Sequence, residues 1–101
     1  MMFGRGRFRD LVQRQLDLFA ADEVELLAEG EEADAAWTNA DRDDTEELYG
    51  DFQLVVDAIG ERLYDVRETY AATLDERTAD AYRAAFNAFA KKRFRRFATL
   101  L

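Results

Sequence analysis

Two short runs carry residues suited to binding an anion. Residues 91–97, KKRFRRF, place five cations in seven positions. Wound as a helix, Lys91, Lys92, Arg95 and Arg96 fall on one arc of about 140°, nearly opposite Phe94 and Phe97. A line of cations on a rigid element pairs with phosphates. Near the start, residues 4–9 alternate Gly4, Arg5, Gly6, Arg7, Phe8 and Arg9. Residues 1–7 therefore read as a basic arm, able to touch a nucleic-acid backbone or stack on bases. The same cations have a plainer use: they complement the dipole in the last turns of a helix and pair with acids elsewhere in the chain. That structural use is preferred, with nucleic acid or an acidic protein as the competing partner.

The acidic residues carry less chemistry than their number suggests. Asp41, Asp43, Asp44, Glu46 and Glu47 cluster around one turn. Oxygen-rich clusters bind hard cations, but the glycine and final glutamate of a calcium loop are missing here, so no metal is assigned. Close carboxylate pairs are inevitable with 22 acids in 101 residues, so none is singled out as an acid–base pair. The chain has no Cys, His, Pro or Ser. Thiolate and imidazole metal sites and every Ser–His or Cys–His nucleophile are thereby excluded. No Lys-Ser/Thr ending follows Gly4 and Gly6, so no phosphate loop is present. The expectation is a non-enzymatic chain with no cofactor and no small-molecule substrate. Trp37, the sole tryptophan, stands in a polar stretch and suits a protein contact or a fold back over the core.

Charge is divided along the chain. Residues 1–14 are net +3, residues 15–90 net −16 and residues 91–101 net +5, for −8 in all. Pairing of the basic ends with the acidic body, within one chain or between two, is the simplest use of this pattern. Twelve of the fourteen cations are Arg. Such an acidic, Arg-over-Lys, Ala-rich composition resembles small acidic helical proteins of halophilic archaea. The resemblance is one of composition alone and implies a salt-adapted cytoplasm without implying a function. No apolar run is long enough to span a membrane and the start lacks a signal-peptide core, so a cytoplasmic location without membrane contact is expected.

These candidates must be positioned by helices, because the apolar residues follow a helical period and no stretch alternates long enough for a strand. Phe8, Leu11, Val12, Leu16, Leu18 and Phe19 define a first helix over about 7–20. Asp22 and Glu25 suggest a capping box that opens a short helix over 23–29, closed by Gly30. Residues 31–44 read as a loop. A long helix from about 43 to 73 follows, with Leu48, Phe52, Val55, Ile59, Leu63, Val66 and Tyr70 on one stripe. Leu54 and Tyr64 leave that stripe and need another partner. A last helix over about 77–98, capped by Asp75 or Thr78, carries Tyr82, Phe86, Phe89, Phe94 and Phe97. The expected fold is one all-α domain: an antiparallel bundle of three main helices around the long one, plus the short helix. Its stripes are too broad for three helices to cover. A homodimer or a protein complex is therefore expected, with Trp37, Leu54 and Tyr64 as contacts.

Overall fold

A computed structural model of the protein describes residues 5–101, and its architecture is all-α. Helix α1 spans Arg5–Asp22, α2 Val24–Thr38, α3 Thr45–Ala71 and α4 Glu76–Phe94; a single 3₁₀ turn, Arg95–Ala98, follows. No strand occurs among the described residues.

The first half of the chain departs from the expected pattern. Asp22 does not cap a new helix. Glu23 occupies the junction (φ −109°, ψ 31°) without a side-chain cap, and hydrogen bonds cross it from Glu23 N to Phe19 O (2.8 Å) and from Leu27 N to Glu23 O (2.9 Å). The two helices are thus one rod with a bend. Nor does Gly30 end α2, which continues through most of the expected loop to Thr38. Leu26, Ala33 and Trp37 pack on the core with buried Gly30 between them, a helical spacing that outweighs glycine's cost of about 1 kcal/mol. Only residues 39–44 form the connection to α3.

The pairing also differs from three helices around one. Trp37 stacks on Phe52, Gly30 faces Ile59, and Glu23 reaches Arg62, so α2 runs antiparallel to α3 from Phe52 to Arg62. Phe8 meets Tyr82 edge-on (5.6 Å) and Phe19 meets Phe94 (5.5 Å), so α1 runs parallel to α4. The chain therefore makes two helix pairs, α1 with α4 and α2 with α3. Bonds from α3 to α4 join them: Arg83 donates to Glu68 (2.9 Å) and Arg67 donates to Asn87 (2.8 Å). The Arg83 guanidinium is the main reason that the Glu68 carboxyl titrates below its ordinary 4.5. Val12, Leu16, Ile59, Leu63, Tyr82 and Phe86 form the sealed centre. The result is elongated, 51 × 25 × 20 Å.

Helix α4 begins as the sequence indicates: Asp75 Oδ1 accepts from Thr78 N (3.0 Å) and Oδ2 accepts from the Thr78 hydroxyl (2.8 Å). It ends four residues short of the expected 98. Arg95 takes φ 46°, ψ −108°, a region that costs an L residue about 1–3 kcal/mol. The turn drives Phe97 inward, where it is 7% exposed. A Cβ at Gly30 would lie 3.1 Å from the Phe97 ring, and one at Gly60 would lie 3.3 Å from Leu100. Two helix-interior glycines thus make room for the chain end.

Candidate interaction site

The cations at the end of the chain do not form the expected arc. Lys91 and Lys92 remain exposed on α4, Arg95 sits on the turn, and Arg96 swings to α2 and donates to Asp34. Arg93 donates to Asp17 of α1 (2.5 Å). The basic end is therefore tied to the acidic body at two points. Lys91, Lys92 and Arg95 make no ion pair among the described residues. A cleft of about 450 Å³ opens here, floored by Leu27, Phe94 and Phe97, and both signs of charge line it, Arg93, Arg95 and Arg96 with Glu31 and Asp34.

At the other end, the supposed arm is in part helix. Arg5, described in its main chain alone, opens α1, while residues 1–4 lie outside the described part. The Arg7 guanidinium lies 5.2 Å over the Phe8 ring, and Arg9 lies 5.8 Å over Phe89 of α4.

The three expected protein contacts are dispersed. Trp37 is half-buried, stacked on Phe52 (5.5 Å, 17° between planes) and tilted against Tyr49 (4.9 Å). It closes one end of the α2–α3 pair. Leu54 is 69% exposed and Tyr64 51%. Ten residues of α3 put them about 15 Å apart, with exposed Asp57 and Glu61 between them. Arg67 covers the Tyr64 ring at 4.9 Å. Single apolar residues set among acids do not amount to a patch.

A continuous apolar surface lies elsewhere. Helices α1 and α3 do not close on each other and leave two adjoining hollows of about 370 and 520 Å³. The hollows share Gln15, Asp65 and Val66, and so form one groove along α3 from Arg62 to Tyr70 and on to Thr73 in the turn that follows. Its walls are Leu18, Phe19, Val66 and Tyr70, and Leu18 is 59% exposed. Asp22 and Asp65 stand exposed on its rim, and Arg62 crosses one end to Glu23 at 2.7 Å. Beneath it the buried Tyr82 hydroxyl donates to Gln15 (2.8 Å), and burial pushes its pKa up to about 12.

Leu18 and Val66 stand in the stripes from which the core is read, and the excess width of those stripes is the one sequence signal for a groove. The acids of residues 41–47 are exposed, and no group of three or more metal-ligating side chains is placed to hold an ion among the described residues. No helix among them is long and apolar enough to cross a membrane. Comparison with protein families, curated proteins and solved structures returns no match to the chain.

Proposed function

We propose that this protein works by binding rather than by catalysis, and that the α1–α3 groove receives an amphipathic helix with basic flanks from a partner protein. The observation that carries this reading is the open apolar groove with Asp22 and Asp65 on its rim. Size supports it. The radius of gyration is 15.5 Å, against about 13 Å for a compact domain of this length. The exposed area is 6910 Å², against roughly 5,900 Å² for this mass. That surplus, about 1,000 Å², is close to one side of a standard interface. Charge selects the partner, because residues 15–90 are net −16 and an acidic rim repels a second acidic rim. The acids with altered ionisation act as anchors: Asp75 is held low by the Thr78 amide, and Glu68 by Arg83. A salt-adapted cytoplasm is the proposed setting.

The test is fluorescence anisotropy with a labelled amphipathic peptide of about 18 residues, five helical turns, carrying a Leu face and Lys flanks. Micromolar binding is expected, weakened about tenfold or more by Leu18→Asp, an exposed position whose substitution leaves the helical circular dichroism intact. Equal binding by both proteins would overturn the assignment. So would a wild-type dimer that Leu18→Asp dissolves, since a second copy would then be the occupant.

The alternative is a nucleic-acid partner for the two basic ends, where Arg7, Arg9, Lys91, Lys92 and Arg95 are exposed and make no ion pair among the described residues. Labelled DNA and RNA in place of the peptide separate the two, because phosphate contacts weaken steeply with salt.

A further inference from the structure

The chain end is held in a conformation that its own residues do not favour. Residues 91–98 contain neither Gly nor Pro, and Phe94, Phe97 and Leu101 continue the apolar spacing of a helix. Nothing local stops α4 at Phe94. The helix stops because Arg95 enters a sparsely populated region, φ 46°, ψ −108°, which lets Phe97 reach the seat made by Gly30, Ile59 and Phe52. Arg96 then meets Asp34, and Leu100 covers Gly60. A one-residue hinge under strain, joining a helix to a docked segment, is a geometry that favours exchange of that segment between copies.

We propose that residues 96–101 exchange between two copies of this chain, each tail filling the other's Gly30–Gly60 seat. The seat already shows what fits it, since the tail itself occupies it. In the exchanged dimer every docked contact is kept: Phe97 on Gly30, Arg96 on Asp34 and Leu100 on Gly60. What changes is Arg95, which returns to helical backbone as α4 runs straight. The seat uses residues of α3 other than those of the α1–α3 groove, so the exchange neither needs that groove nor competes with it.

The absence of cysteine makes a direct test available. A Cβ at position 60 would lie 3.4 Å from Leu100 Cβ, close to the separation that a disulfide spans. The G60C/L100C double variant is refolded at millimolar concentration, oxidised and resolved by non-reducing electrophoresis and mass spectrometry. Exchange yields covalent dimers whose bonds join the two chains. Adding Arg95→Gly relieves the hinge of both closed monomers and lowers the dimerisation constant about a hundredfold, roughly tenfold for each of the two hinges. Bonds formed only within single chains at millimolar concentration would overturn the proposal. So would a dimer yield unmoved by Arg95→Gly. Both outcomes are independent of peptide binding in the groove.

Discussion

Tyr82 shows how a single side chain sets a limit on the stability of this fold. Its ring is fully buried against Phe8, Tyr70 and Phe86, and its hydroxyl donates to Gln15. Burial disfavours the phenolate, so the folded pKa rises from 10.0 to about 12. A raised folded pKa means that the unfolded chain loses its proton first. This contribution is complete below about pH 10, and it is lost as pH rises through about 12. The unfolding free energy, followed by circular dichroism in urea, should therefore be insensitive to Tyr82 up to about pH 10 and fall beyond it. Tyr82→Phe should flatten that alkaline fall. An equally steep fall in the variant would place its origin elsewhere. The sequence alone puts Tyr82 on the α4 stripe, but the Gln15 partner, 67 positions away, follows only from the pairing of α1 with α4.

The helices read correctly where the local signals agree. Asp75 caps α4, and α3 carries its stripe within two residues of the expected ends. They read wrongly at the glycines and at the last turn. Gly30 has the local signature of a helix end, yet it lies inside α2 because Phe97 and Ile59 need the space. Gly50, by contrast, is exposed on α3, and a Cβ added there would meet nothing within 4 Å. The two should respond oppositely to substitution. Gly50→Ala should stabilise by up to about 1 kcal/mol through helix propensity. Gly30→Val should destabilise by about 1–3 kcal/mol through overpacking. Urea midpoints of the two variants check the pair, and a stabilised Gly30→Val would mean that the Phe97 seat does not exist.

At the scale of the whole molecule, charge and shape act together. A body of net −16 is bounded by basic ends, and the fold ties the C-terminal end to that body through Arg93–Asp17 and Arg96–Asp34. Exposed pairs of this kind contribute little each, so most of the self-repulsion of the body remains. Potassium chloride at molar concentration shortens the screening length to about 3 Å and removes that repulsion. The melting temperature should rise with salt, and a gain of about 1 kcal/mol would appear as roughly 4–8 °C. Calorimetry in dilute and molar KCl measures it, and a flat or falling melting temperature would show that repulsion is not what limits stability.

The helical class, the long α3, a cap at Asp75 or Thr78 and the basic–acidic–basic division of charge were all determined by the sequence. Each depends on neighbours within a few positions or on composition, and those are legible in one dimension. Even the surplus of apolar surface was visible, as stripes too broad for their helices. Tertiary structure alone decided that α1 and α3 leave a groove between them, lined by Leu18, Phe19, Val66 and Tyr70, while Leu54 and Tyr64 stand exposed on α3. It also decided that α2 passes through Gly30 and that α4 breaks at Arg95. The common cause is Phe97. Burying its ring against α2 and α3 offsets the strained backbone that delivers it, an exchange between residues far apart in the chain that no local pattern records.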